Sequence, residues 1–466
     1  MGRSRIVVVG AGVSGLAAAH RLAKSAAAAG RDLDVLVLER GAQVGGKART
    51  LHEGGFRIET GPTSYLDNSE TFRELVRSAG LDDVRIQADA AAKKRYLVRG
   101  GVPRLVQAHP LKFATSGLLG PLGVARIAAE PFLPRISEEA AQDETVWQFA
   151  RRRLGAQAAD RLIAPMVLGV HAGDAKKLSL QAAFPRLAAL EREHGSLIRG
   201  AIARKRAGQG GGPTGPSGAV SSFVEGLGAL PEALAATPGV VVRCGATVTG
   251  VEKTPEGWRV VVDGDAEAIP SDAVILAGEG YAMGRLLSLV DDDGGAALVS
   301  IPTPPVTVVA LGFTAEQARS LPVGFGALVQ RGGGLRLLGT LWDSQVFAGR
   351  SPEDHVLIRA MYGGSVDPEA GRLDDQEVLA LARRELAMLV GIEAPPVHVR
   401  VVRWDKAIPQ YEVGHQERVA TVEAACARNP GLYVAGNALY GVAFSKAAEA
   451  GLHAADAAWE RVSASP

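Results

Sequence analysis

Residues 5–15 read RIVVVGAGVSG, a short β-branched run that stops at a glycine and continues into a helical pattern. Gly10, Gly12 and Gly15 satisfy G-x-G-x-x-G, with Ala11, Val13 and Ser14 between them. In this strand-to-helix context each glycine has a separate job. The first permits the tight turn, the second lets backbone approach a pyrophosphate, and the third lets the helix lie against the strand. The helix start then offers unpaired N–H groups and the positive end of its dipole. An alanine-rich helix follows, and a second apolar run, DVLVLE, ends on Glu39, where an acid can accept from a ribose diol. This unit implies a bound dinucleotide. Glu39 disfavours a 2′-phosphate and the neighbouring Arg40 partly offsets that, so residues 1–40 leave NAD and FAD both open.

A chain of 466 residues exceeds a single core, and two or three domains are expected. Lys and Arg total 51 against 50 Asp and Glu, so no global field attracts nucleic acid, and none is expected as a partner. The basic runs at 93–95, 151–153 and 204–206 read as solvated faces. Two cysteines without a CxxC argue against a disulfide framework or structural zinc, and for a reducing compartment. The histidines show no HExxH or other ligand spacing, so no metal is expected. The first strand begins at Arg5, so no signal peptide is expected before it. The most apolar stretch, residues 114–134, is broken by Gly, Pro and Arg126; it suits a membrane surface rather than a span.

Along the chain, SETFRELVRSAG (69–80) reads as a helix with Ser69 as N-cap and Gly80 beyond its end. Residues from about 105 to 205 are largely helical, and the glycine- and proline-rich 207–218 reads as a loop or boundary. Strands such as DAVILA, PVTVVALGF and VHVRVVRW follow, with one helix at DDQEVLALARRELAMLVG. The end of the chain, VAGNALYGVAFSKAAEAG, is a second glycine-marked strand–turn–helix.

ERGAQVGGKARTLHEGGFRIETGPTSY (39–65) resembles the segment after the second strand in flavoproteins of the amine oxidase–phytoene desaturase superfamily. The resemblance implies FAD. It places Gly46 and Lys47 beside the cofactor and Gly61, Pro62, Thr63 and Ser64 in a second turn near the flavin. It also gives cofactor contacts to Val248, Trp404, Val442, Ala443 and Phe444. Further stretches are similar to one branch, the oxygen-dependent porphyrinogen oxidases of haem biosynthesis: AAKKRYLVRGG, MVLGVHAGD, EREHGSLIRGAI, LPVGFGALV, RAMYGG, IPQYEVGH and GNALYGVA. They imply that Arg95 meets a substrate propionate, that Gly169 lines the pocket beside His171, and that Phe325, Leu328 and Met361 form an apolar slot.

The fold implied is α/β. It has a Rossmann-like FAD-binding domain from residues 1–94, 207–290 and 404–466, a helical lobe at 95–206, and an α+β substrate domain at 291–403. The reaction implied is oxidation of protoporphyrinogen IX by molecular oxygen through FAD, giving hydrogen peroxide; coproporphyrinogen III is the alternative. No protein residue is expected to serve as a catalytic base. A flavin amine oxidase, a carotenoid desaturase or a non-enzymatic flavin protein are the rival readings. The lobe implies peripheral membrane contact, with the protein cytoplasmic at the inner face of the cell membrane, and a homodimer is the assembly considered. Three departures from the branch stand out: Lys47 at an aromatic or small position, Gly278–Gly280 in place of a proline-containing turn, and FSKAAEAG in the last helix.

Overall fold

The computed structural model describes residues 4–107, 109–135, 143–206 and 219–464. The glycine-rich boundary read at 207–218 lies outside the described residues. The chain opens with β1 (Ser4–Val9), α1 (Val13–Ala28) and β2 (Leu33–Glu39). A hairpin of β3 (Arg95–Arg99) and β4 (Val102–Leu105) leads into a lobe of short helices that includes α2 (Ala164–His171). Next come β5 (Val240–Cys244), β6 (Ala273–Leu276), β7 (Val306–Thr314), β8 (Gly326–Val329), β9 (Gly339–Leu341) and β10 (His355–Gly363). The chain closes with α3 (Asp375–Val390), β11 (His398–Trp404), β12 (Leu432–Val434) and α4 (Phe444–Ala464).

Five of these strands make a parallel sheet in the order β5-β2-β1-β6-β12. Its central strands β1 and β6 are buried on both faces and so read as continuous apolar runs rather than alternating ones. One layer over it is α1 with α4. Gly451 fits between them because a Cβ there would lie 1.9 Å from the Ser14 carbonyl oxygen. The two glycine-marked strand–turn–helix units, at opposite ends of the chain, are therefore neighbours in one domain.

A second sheet has seven strands in the order β11-β7-β10-β9-β8-β3-β4. One face is sealed by α3, whose Val378, Leu381, Ala382 and Leu386 pack on Val309, Leu311, Ile358 and Tyr362. Asp374 and Glu377 form a capping box at the start of α3, and Gly391 ends it in the left-handed region, as the polar–apolar pattern predicts. The earlier helix also matches expectation, with Ser69 accepting from the Phe72 amide and Gly80 at φ +73°.

Residues 95–105 depart from the sequence reading. They were expected at the head of the helical lobe, whereas β3 pairs in parallel with β8 and extends the seven-stranded sheet. Such pairing joins segments far apart in sequence, and no local pattern announces it.

Candidate active site

At the dinucleotide end, a Cβ on Gly10 would sit 2.9 Å from Gly278, and one on Gly15 only 2.0 Å from the Gly10 carbonyl. Gly12 is different: a Cβ there would meet nothing within 4 Å, so the space over the turn is open. The Glu39 carboxylate accepts from the amides of Ala11 and Gly41, both at 2.7 Å, which leaves further lone pairs for a diol. Gly45 donates to the Ala11 carbonyl at 2.8 Å and brings Gly46 against Gly12. Val13 and Ser14 are buried in the first turn of α1, and the Ser14 hydroxyl has no partner. An open turn, a helix start and an orphaned hydroxyl fit a pyrophosphate, and the residues present therefore fit a bound dinucleotide. Arg40 is exposed, and Val248 packs in the cluster that contains Leu38.

The second turn, Gly61 to Ser64, is fastened from behind by the seven-stranded sheet. Arg359 of β10 donates to the carbonyls of Glu59 (2.7 Å) and Gly61 (3.1 Å) and to the Thr63 hydroxyl. Its charge is met by Asp343 at 2.8 Å, both side chains being buried. The Trp404 indole donates to the Thr60 carbonyl at 2.7 Å. Pro62 and Ser64 remain half-buried, and a Cβ on Gly61 would strike the Lys47 carbonyl at 2.5 Å. Two of the sequence departures turn out to be one feature, because Lys47 Nζ lies 2.6 Å from Glu279 Oε2. Burial holds the Lys47 ammonium below the usual lysine range despite that partner.

The third turn precedes α4. Gly441, at φ +135°, donates to the Tyr411 hydroxyl at 2.7 Å, and that hydroxyl donates to the Asn437 carbonyl at 2.5 Å. His415 stacks on the Tyr411 ring at 3.9 Å, and its Nε2 reaches the Leu439 carbonyl at 3.1 Å. IPQYEVGH is thus the clasp on this third turn, a role that reading the motif as a stretch of sequence did not reveal. Val442 is half-buried and Ala443 exposed, so both are available to a ligand. Phe444 turns into the core against Phe72, so only its backbone can serve the cofactor.

On the substrate side, Cα partners across the seven-stranded sheet define one row: Arg104, Leu97, Leu328, Gly339, Met361, Val308 and Val402. Residues opposite one another share a face. Met361, Val402 and Trp404 pack with Leu168 and Ala172 of the lobe, and Gly169 rests on Leu328, whose methyl would lie 2.2 Å from a Cβ there. Leu328, Met361, Gly169 and Arg95 are therefore brought to one face. Phe325 lies at the Arg95 end of that face. It precedes β8, packs with Ala92, Val346 and Phe347, and carries the Arg95 guanidinium 5.1 Å above its ring. His171 is buried edge-on to Phe184, and burial pushes it down to about 4, so the ring is neutral.

Three turns converging beside an apolar sheet face define a dinucleotide-dependent oxidoreductase of the flavoprotein class. The chain belongs to the flavin containing amine oxidoreductases, whose family pattern spans residues 13–458, and its cofactor is FAD. It is 31% identical to protoporphyrinogen oxidase 2 of Arabidopsis thaliana, over 97% of this chain and 93% of that one. It is 28% identical to the coproporphyrinogen III oxidase of Bacillus subtilis (strain 168), over 95% of each. The crystal structure of a candidate protoporphyrinogen oxidase from Exiguobacterium sp. 255-15 superposes with a TM-score of 0.85 at 25% identity, over 99% of both chains.

Proposed function

We propose that the protein oxidises a porphyrinogen to its porphyrin with molecular oxygen. Protoporphyrinogen IX is the substrate read from the sequence, and coproporphyrinogen III is the second candidate, relatives of both names being similar over nearly the whole chain. The observation that carries the reading is the apolar row through Leu328 and Met361, which begins beside the flavin-side turns and ends at arginines. A macrocycle apolar at its centre and anionic at its rim is complementary to such a face. Bound FAD would accept the electron pairs. Six hydrogens leave the porphyrinogen, and three molecules of oxygen become three of hydrogen peroxide.

The chain's own residues bind and orient. Arg95 offers its guanidinium fork to a propionate, Leu328, Met361 and Gly169 define the slot, and Arg359 and Tyr411 hold the turns that grip the cofactor. His171 is neutral and enclosed and acts as packing, not as a base. Oxygen uptake measured with porphyrinogen, amine and carotene substrates tests the reading. Consumption with a porphyrinogen and with neither of the others is expected; turnover of an amine alone would replace it.

Peripheral membrane contact belongs to the same proposal. Among the described residues no helix is long and apolar enough to cross a membrane. The lobe nevertheless exposes Leu111 (74%), Leu122 (81%) and Phe132 (83%), side chains able to enter a lipid interface. A cytoplasmic protein docked at the inner membrane face should co-sediment with vesicles, and Leu122→Glu with Phe132→Glu should release it. Sedimentation equilibrium likewise decides the homodimer.

A further inference from the structure

Arg99, Arg104 and Arg161 meet where the hairpin β3–β4 joins the helical lobe. Arg99 shares its face of β3 with Arg95 and Leu97, because side chains alternate along a strand, and Arg104 is the direct partner of Leu97. Arg161 stands on the helical turn leading into α2, whose Gly169 rests on Leu328 of the same face. Among the described residues each guanidinium finds only neutral acceptors: Arg99 the Gly117 carbonyl, Arg104 the Ser116 carbonyl at 3.2 Å, and Arg161 the Gln157 side chain at 3.3 Å. Arg104 Nε is buried without a partner. None of the three forms an ion pair with a carboxylate among the described residues. Other lobe arginines do: Arg152 has Glu144 and Glu191, and Arg153 has Glu130. Burial and then the two neighbouring cations hold Arg99 below the usual arginine range.

Three converging like charges without a counter-ion repel one another, and an anion placed among them would relieve the repulsion. We infer that Arg99, Arg104 and Arg161 form a carboxylate subsite at the outer edge of the substrate face, serving the additional rim carboxylates of a tetracarboxylate porphyrinogen. This rests on the porphyrinogen reading and makes it more specific. Arg95 and Arg99 are four residues apart on one strand face, about 13 Å at ~3.3 Å per residue. Arg104 sits between them on the neighbouring strand. The set can therefore meet carboxylates on different edges of one macrocycle. Coproporphyrinogen III carries two carboxylates that protoporphyrinogen IX lacks, so the subsite distinguishes the two.

The test uses the FAD-loaded protein and Arg99→Gln, Arg161→Gln and their double variant, glutamine being still able to donate to the loop carbonyls. The ratio of kcat/KM for coproporphyrinogen III to that for protoporphyrinogen IX is expected to fall about tenfold per arginine, mostly through KM, as for loss of a charge-assisted hydrogen bond. Lysine at the same positions should restore part of it. Equilibrium binding of coproporphyrin III against its tetramethyl ester supplies a measurement on the unmodified protein. There the free acid should bind at least tenfold tighter, and the double variant should lose that difference. An unchanged ratio together with an unchanged acid–ester difference overturns the subsite, as does a loss confined to binding of anionic phospholipid vesicles. If neither porphyrinogen is turned over, the proposed reaction falls; carboxylate-dependent binding that disappears in the variants would still establish the subsite.

Discussion

Single residues here act through atoms that sequence proximity does not reveal. Tyr411 presents one hydroxyl to both ends of the flavin-side turn, accepting from Gly441 and donating to Asn437. Tyr411→Phe keeps the ring stacked on His415 but leaves the Gly441 amide without its acceptor. An unmade buried hydrogen bond costs about 1–2 kcal/mol, so FAD affinity should fall roughly 5- to 30-fold. Flavin fluorescence titration reads this directly, and unaltered affinity would show that the turn holds its shape without the clasp. His171 offers a pH prediction. Its folded value, about 4, lies below the ordinary 6.5. The unfolded chain therefore takes up a proton first, and stability is lost as pH falls from 6.5 towards 4, by about 2 kcal/mol at pH 5. Denaturant unfolding at pH 7 and pH 5 should show that loss, and His171→Gln should flatten the slope between them. Glu39 was legible from the sequence because its partners, the amides of Ala11 and Gly41, belong to the same β-α-β unit. Tyr411 was not, since the turn it holds lies on another element.

At the scale of elements, the contact of α1 with α4 depends on an absent side chain. Gly451→Val would drive a methyl into the Ser14 backbone, at the same turn where the orphaned Ser14 hydroxyl lies. Overpacking of this kind costs typically 1–3 kcal/mol. Both a lower melting temperature and weaker FAD binding are expected, while Gly333→Ala, on an exposed bend outside the left-handed region with no close neighbour, serves as a control for the loss of a glycine. A normal FAD affinity in Gly451→Val would mean that the helices part without disturbing the turn. The individual strands and helices were largely legible, because an apolar run bounded by glycine, or a capped amphipathic stretch, carries its own signal. The seven-strand order was not: β3 joins β8 across the whole lobe, and Arg359 reaches the Gly61 turn from a different sheet. In the third departure, FSKAAEAG, Lys446 pairs with Glu449 at 2.5 Å one turn along, while the other Glu449 carboxylate oxygen is buried without a partner.

For the whole molecule, FAD is a structural member as well as a cofactor. Its site draws on residues near both chain ends and on the sheet between them, so ligand binding opposes the separation of all three. A ligand at a hundred times its Kd adds about 2.7 kcal/mol to unfolding. The protein stripped of FAD should melt at lower temperature, and the melting temperature should climb with the logarithm of added FAD in differential scanning calorimetry. Equal melting with and without the cofactor would mean that the halves hold together unaided.

By itself the sequence determined that a dinucleotide is bound and pointed to a glycine turn and an acid that fit it, because those properties follow from the backbone conformations that closely spaced glycines allow. Its wider resemblance pointed to the cofactor and to the reaction class. Only the tertiary structure decided that Lys47 and Glu279 compensate each other, that Phe325 lies under the Arg95 guanidinium, and that three arginines gather without a carboxylate among the described residues. Those outcomes depend on strand register and on contacts between distant segments, and register is settled by burial across the whole sheet rather than by any residue's neighbours in the chain.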